Sequence, residues 1–345
     1  MRYVKFGSSE LTVSMLCLGC MGFGNAATGQ HSWTVDEEHS RTVLKAALDG
    51  GINFFDTAIA YQKGTSEQYV GRALRDFAKR DEVVLATKFL PRSDEEFAAG
   101  VSGREHVLKS AEESLKHLGL DHIDLYIYHM WDYRTDLTEI MQALHELVTS
   151  GKVRYLGISN CFAYQLERAN SLAREHGLTP FVSVQGHYNL IFREEEREML
   201  QLCAEENIAY TPYSPLAAGR LSRPAHQQVH TRRFDEDSYA RFKYDKSAQA
   251  DSEVIDRLQK LSEKRGEPMT ALALAWLQSK HCIPVAGVTR LEQMPALLRS
   301  ADLTLTPEEC AYLEEPYQPH ALSGVMAQNR PSLTAAPKVW LEASR

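Results

Sequence analysis

Ile52-Asn53-Phe54-Phe55-Asp56, Val83-Val84-Leu85-Ala86-Thr87-Lys88 and Leu125-Tyr126-Ile127-Tyr128-His129 share one shape: a short apolar run that ends on a charged or titratable side chain. Runs of this length, rich in β-branched and aromatic residues, predict buried strands. A charge at the end of a buried strand is costly unless something there uses it. Three such endings in consecutive strands predict one shared pocket.

Outward from these three, the alternation continues. Strand candidates begin near Met15, Ile52, Val83, Leu125, Arg154, Val182, Ile208 and Ile283, which makes eight. Helix-period segments lie between them, among them Ser40 to Leu48, Glu67 to Ala78, His106 to Leu118 and Leu137 to Thr149. Repeated βαβ units imply a parallel sheet with right-handed crossovers. Eight of them predict an α/β fold, a (β/α)8 TIM barrel, as one domain over 1-345. A doubly wound open sheet is the rival, but no G-x-G-x-x-G follows an early strand. Tyr3 to Lys5 and Leu11 to Ser14, either side of Gly7-Ser8-Ser9-Glu10, predict an N-terminal β-hairpin covering the bottom of the barrel. Ser252 to Arg265 and Met269 to Ser279 read as structural helices. The stretch Arg223 to Ala250 reads as a long irregular loop, either a cover over a cofactor or a surface insertion. The tail, about 320-345, is either pocket-lining or disordered.

The 345 residues suit a barrel with insertions. A hydrophobic content of 43% and a charged content of 24% are ordinary for a globular protein. The formal net charge of -8 argues against nucleic acid as the main partner, since no basic surplus exists to neutralise phosphates. No apolar run is long enough to span a bilayer, and no signal peptide is read at the N-terminus. Six cysteines without a disulfide spacing suit a reducing, cytoplasmic setting. Cys17 and Cys20 form a C-x-x-C, but residues three apart on a strand face opposite ways, so plain packing is expected. The run Arg193-Glu194-Glu195-Glu196-Arg197-Glu198 reads as a solvated helix face. Oligomeric state is left open.

Tyr61 lies on a loop just beyond Asp56, on the side where barrels place their active sites. A lone loop tyrosine normally packs, a lone lysine caps, a lone histidine is a satisfied core group, and Asp56 alone suits a helix N-cap. Their shared placement argues for chemistry. A phenol is a poor acid at neutral pH, and a nearby ammonium lowers its pKa. Asp56 would hold that lysine, and His129 would orient a carbonyl oxygen. The set is a proton donor aimed at C=O, which suits carbonyl reduction by a hydride from a cofactor. Schiff-base chemistry at Lys88 is disfavoured by the neighbouring carboxylate.

The segment Gly51 to Ala58, followed by Tyr61 and Gly64-Thr65-Ser66-Glu67, resembles the aldo-keto reductase superfamily. The likeness continues through Gly151 to Asn160, Val184 to Leu190 and Tyr213 to Leu216, and covers roughly residues 2 to 315. It is closest in style to the branch with bacterial reductases and the β subunits of voltage-gated potassium channels. The resemblance implies Asp56, Tyr61, Lys88 and His129 as the catalytic set. It assigns Ser159, Asn160 and Gln185 to the nicotinamide carboxamide, as suits amide donors and acceptors, and Tyr213 to stacking on the nicotinamide ring. Ser214, Leu216, Gly219 and Leu221 fall on the pyrophosphate loop. Gly287, Thr289, Arg290 and Gln293 fall on the adenosine-phosphate site, where a guanidinium fork suits a 2′-phosphate. Met21 is expected beside the cofactor, with Phe23, Trp33 and Trp131 as further candidate walls. Family members usually carry Glu and Asn one turn beyond that phosphate site, where this chain has Ala296 and Leu297. The implied cofactor is NADPH rather than NADH, with no metal, and the implied substrate is a small aldehyde or ketone. The rival reading is a cofactor-sensing regulatory subunit that binds NADPH and turns over slowly. An N-terminal extension would favour that rival, and the chain is expected to begin directly at the hairpin.

Overall fold

The computed structural model describes residues 1–225, 227 and 232–329. Two antiparallel strands, β1 (Tyr3–Lys5) and β2 (Thr12–Ser14), form a hairpin. Eight parallel strands follow: β3 (Cys17–Gly19), β4 (Phe54–Asp56), β5 (Val84–Phe89), β6 (Ile123–Tyr128), β7 (Val153–Ser159), β8 (Phe181–Gln185), β9 (Ala209–Tyr210) and β10 (Val285–Ala286). From β4 to β9 each pairs with its predecessor, and β10 pairs with β3. Between β9 and β10 the chain closes the ring with Ile283 N donating to Tyr210 O (3.0 Å) and Val285 N to Pro212 O (2.9 Å). All eight expected strands are present, and the open-sheet alternative is excluded by this closure.

Helices wrap the sheet: α1 (Glu37–Asp49), α2 (Thr65–Phe77), α3 (Asp94–Ala98), α4 (Gly103–Leu118), α5 (Leu137–Thr149), α6 (Ala163–His176) and α7 (Met199–Glu205). After β9 come α8 (Arg232–Glu236), α9 (Ser238–Tyr244), α10 (Ala248–Arg265) and α11 (Met269–Ser279). Then α12 (Met294–Arg299), α13 (Pro307–Glu314) and α14 (Val325–Gln328) complete the described chain. Their starts are chemically marked. Asp36, Ser102, Asp136 and Thr306 each accept from backbone N–H groups of a first turn. No described helix is long and apolar enough to cross a membrane.

Strand parity separates two cores. Cys17, Phe54, Val84, Ala86, Leu125 and Ile127 pack together inside the barrel, with Phe6, Leu11 and Val13 of the hairpin closing its lower end. Leu18, Phe55, Leu85, Tyr126 and Tyr128, one residue out of step, join the helices in the outer core. Cys17 and Cys20 fall in different cores, as their spacing requires, and all six cysteines are unpaired. The hairpin turn presses on the sheet. Gly7 has φ +56°, and a Cβ there would lie 2.7 Å from Val182 O and 2.8 Å from Ala209 N.

Two expectations need correction. Arg223 to Ala250 is not irregular throughout, since α8, α9 and the start of α10 occupy much of it. The Arg193–Glu198 run is a short 3-10 turn built into the fold rather than a solvated face. Arg193 pairs with Glu196 (2.7 Å) and Glu314 (3.3 Å), and Tyr317 OH donates to Glu194 (2.8 Å). Glu195 lies against Gly186 and Tyr210, and burial, aided by Glu194, pushes its carboxyl up to about 7.

Gly7→Val should lower stability by about 2 kcal/mol or more through strain and clash, read as a fall in thermal midpoint. An unchanged midpoint would contradict the packed turn. Glu195 gives a pH prediction. The folded protein keeps this proton up to about pH 7, whereas the unfolded chain loses it near the ordinary carboxylate value. Stability therefore falls as pH rises between those values. Thermal melts across that window should show a smaller fall in Glu195→Gln than in wild type, and equal falls would refute the assignment.

Candidate active site

The interior parity that stacks Phe54, Val84, Ala86, Leu125 and Ile127 reaches Asp56, Lys88 and His129 at the upper rim. Asp56 and Lys88 are almost wholly enclosed; Lys88 has 0% exposure. A lysine there must satisfy three N–H donors, and it does. Lys88 Nζ donates to Asp56 Oδ1 (2.6 Å), the Thr57 carbonyl (2.8 Å) and the Tyr61 hydroxyl oxygen (3.2 Å). Gln185 Nε2 donates to the other Asp56 oxygen (3.0 Å). Asp56 is thus a buried counter-ion and not a helix cap.

Burial opposes the lysine charge, but Asp56 and Tyr61 overcome it and hold the ammonium above its ordinary value. It stays charged and has no nucleophilic lone pair, which removes the Schiff-base reading. Tyr61 goes the other way from the sequence expectation. Lys88 does pull the phenol down, yet burial pushes it up by more, and the net direction is upward. The proton therefore stays on Tyr61 at neutral pH. Because the Tyr61 oxygen accepts from Lys88, its own O–H is left to donate elsewhere.

His129 sits edge-on to Tyr61, with ring centroids 6.0 Å apart and planes at 79°. Burial, with a push from Lys88, drops its pKa to about 3, so the imidazole is neutral. Its Nδ1 is enclosed without a partner.

Ser159, Asn160, Gln185 and Tyr213 come together in one hydrogen-bonded arc. Ser159 Oγ donates to the Gln185 carbonyl (2.8 Å), Asn160 Nδ2 to His129 O and Ser159 Oγ (both 2.9 Å), and Tyr213 OH to Asn160 Oδ1 (2.9 Å). Asn160 reaches this position at φ +51°. Tyr213 is a fixed platform. Its ring stacks on His187 at 5.5 Å and 11°, and His187 stacks in turn on Phe192 at 4.1 Å.

The turn after Tyr213 has positive φ at Ser214, Ala217, Ala218 and Gly219. Its amides are not all free: Gly219 N and Leu221 N both donate to Leu216 O. The Leu221 side chain is core. Gly287 lies beside Gly19, where a Cβ would stand 3.1 Å from its carbonyl, and a Cβ on Gly22 would strike Thr289 Cγ2 at 2.8 Å. Gln293 Oε1 accepts from Thr289 N and Arg290 N (both 3.1 Å), so it shapes this turn. Arg290 is exposed and Met21 half-buried. Leu297 is fully buried, so it does not meet a ligand. Trp33 is a buried wall at 5% exposure, with Arg233 stacked 4.3 Å above it. Trp131 is also buried, and its carbonyl accepts from Asn329 Nδ2 (2.7 Å), which ties the described part of the tail to the segment after β6. Residues 330–345 lie outside the described residues. Among the described residues, no cluster of His, Cys, Asp or Glu is placed to hold a metal.

The composite is a C-terminal barrel face with a phenol donor, a buried ion pair behind it, a neutral imidazole beside it and an aromatic platform across from it. A family model described as "Aldo/keto reductase family" matches residues 16–318. The chain belongs to the aldo-keto reductase family. It is similar to versiconal hemiacetal acetate reductase of Aspergillus parasiticus, with 34% identity covering 93% of this chain and 98% of that protein. It is also similar to the aldo-keto reductase AMT2 of Alternaria alternata, with 36% identity covering 92% of this chain and 91% of the other. Among solved structures, a thermostable aldo-keto reductase in complex with the inhibitor epalrestat matches with a TM-score of 0.72 and 27% identity, covering 92% of this chain and all of that one. This aldo-keto reductase is an oxidoreductase, and its family is consistent with carbonyl reduction.

Gln62, the neighbour of Tyr61, went unnoticed in the sequence. It is fully enclosed at φ +50°. Its Nε2 meets the carbonyls of Asn25 (2.8 Å), Thr28 and His31 (2.9 Å), and its Oε1 accepts from His31 N (3.0 Å). One amide therefore ties the 25–31 loop to the turn that carries Tyr61. Nothing in local pattern marks this, because all its partners are backbone atoms of another loop. Gln62→Ala should speed amide hydrogen exchange over residues 25–34 by roughly tenfold or more, with β5 and β6 unchanged. Unchanged exchange in the loop would contradict the tether.

Proposed function

We propose that this aldo-keto reductase reduces aldehyde or ketone carbonyls to alcohols with NADPH as the hydride source and Tyr61 as the general acid. The observation that carries the reading is the lysine with three acceptors. By giving one N–H to the Tyr61 oxygen, Lys88 turns the phenolic O–H outward and stabilises the oxygen as negative charge grows on it. Asp56 keeps Lys88 charged, and Gln185 keeps Asp56 oriented.

The residues fit a dinucleotide. The Tyr213 face, braced by His187 and Asn160, suits a planar nicotinamide. The places where a Cβ would intrude, at Gly22 and Gly287, leave backbone close to the groove between Gly19 and Thr289. Arg290 and Thr289 favour a 2′-phosphate and hence NADPH over NADH. When bound, NADPH supplies the hydride. Neutral His129, with Nδ1 enclosed, acts through Nε2 to hold the carbonyl oxygen near Tyr61. Tyr61 then gives its proton to that oxygen, and Lys88 steadies the tyrosinate left behind. The buried walls Trp33 and Trp131 help to exclude water from the mouth. A small carbonyl compound is the proposed partner, and six unpaired cysteines suit the cytoplasm.

Tyr61→Phe should lower kcat for aldehyde reduction by about 10²- to 10⁴-fold while NADPH affinity stays within about twofold. Retained turnover would sink the acid assignment. Across pH 5 to 9 the wild-type kcat should show no break from His129, which titrates at about 3, nor from Tyr61, which is held above its ordinary value. A break near 6.5 that His129→Gln removes would contradict this.

A further inference from the structure

Lys243 lies on α9, outside every motif that carries the family resemblance. Its side chain folds back onto the turn after β9 and is 7% exposed. Nζ donates to Ser214 Oγ (2.9 Å), at the head of the positive-φ turn. The ammonium is surrounded by rings, 4.9 Å from the Tyr213 centroid, 5.2 Å from Tyr244 and 5.7 Å from Tyr239. Two of its three N–H groups have no hydrogen-bond acceptor among the described residues.

A buried ammonium is costly without a counter-ion. Among the described residues no carboxylate lies within ion-pair distance of Lys243. The groups facing it are known from each neighbouring element. Asp237 beside α9 attracts it, while Arg233 of α8 and Arg220 of the turn after β9 repel it. His187 and His320 share its surroundings. Asp237 is already in contact with Arg233 (3.5 Å), and Asp245 is paired with Arg220 (2.6 Å). Both nearby carboxylates are thus shared with other cations. Trp33 Nε1, under Arg233, is enclosed with no acceptor. Among the described residues, Lys243 and Trp33 Nε1 hold N–H groups without acceptors, next to the face that binds the cofactor in the reading above.

We propose that Lys243 is a ligand for the phosphate groups of the dinucleotide, reaching them from α9 beside Ser214, and that it takes up a proton from solvent as they bind. Ser214 holds the amine in place: its oxygen accepts from Lys243, and its hydroxyl also bonds the Tyr244 side chain. In the free protein, burial outweighs Asp237, and Arg233 and Arg220 add to it, bringing the amine down to about 7. A phosphate dianion beside the nitrogen reverses that balance and favours the charged form. Binding and protonation are then linked, and affinity falls as pH rises above neutral.

This inference rests on the nucleotide reading, and the experiment separates the two. Binding of NADP+ is measured by calorimetry at pH 8 in buffers of differing ionisation enthalpy, on wild type, Lys243→Arg and Lys243→Met. The slope of observed enthalpy against buffer enthalpy counts protons taken up. The ligand's own phosphate ionisation is common to all three proteins, so differences isolate Lys243. Wild type should take up close to one proton more than Lys243→Arg, which keeps a fixed charge and still binds. Lys243→Met should bind roughly tenfold or more weakly. Equal proton uptake in wild type and Lys243→Arg, or wild-type affinity in Lys243→Met, would overturn the proposal while leaving the nucleotide reading intact. A wild-type protein that binds no dinucleotide would overturn both.

Discussion

A charged lysine buried at the rim of a barrel is the constraint around which the site is arranged. Lys88 has three N–H donors and no water to receive them, so the fold supplies Asp56, the Thr57 carbonyl and the Tyr61 oxygen. Removing any one of these would leave a buried donor or charge uncompensated, at a cost of several kcal/mol. The same geometry that satisfies the lysine decides the tyrosine's behaviour. Its oxygen is an acceptor towards Lys88, so its own O–H is left to donate elsewhere.

The frame makes this arrangement possible by simple parity. Alternate residues of β4, β5 and β6 fill the barrel with Phe54, Val84, Ala86, Leu125 and Ile127. One step further along each strand the apolar filling gives way to Asp56, Lys88 and His129. The register sets Asp56 beside Ala86 and Lys88 beside Ile127, so each polar group has an apolar neighbour on the next strand. The hairpin seals the opposite end with Phe6, Leu11 and Val13. A low dielectric below the site is what keeps His129 neutral and the Tyr61 proton in place.

Much of this was legible in the sequence. The eight strands, the hairpin, the closure, the placement of Asp56, Lys88 and His129 at strand ends and that of Tyr61 in the segment just beyond Asp56 follow from pattern along the chain. The direction of the Tyr61 shift did not, because the lysine is visible in sequence and the degree of enclosure is not. Arg193 to Glu198 looked solvated because a charged run usually is. Its partners, Glu314 and Tyr317, are more than a hundred residues away and become visible only when the chain is folded. The hold of the Gln293 oxygen on the Thr289 and Arg290 amides was not visible either, because its partners are backbone groups of a turn. Gln62 and Lys243 escaped for the same reason. Gln62 ties one loop to another, and Lys243 reaches from α9 to the turn after β9, so neither set of partners lies within a local period.

The account turns on Lys88 acting through its charge upon Tyr61. The most direct test is Lys88→Met, which keeps much of the side chain's length and removes the ammonium. Folding is confirmed by thermal melt, and kcat for aldehyde reduction is measured beside NADPH affinity. The account predicts a fall in kcat of about 10²-fold or more with affinity changed by no more than about twofold. A folded Lys88→Met protein that turns over at the wild-type rate would contradict it.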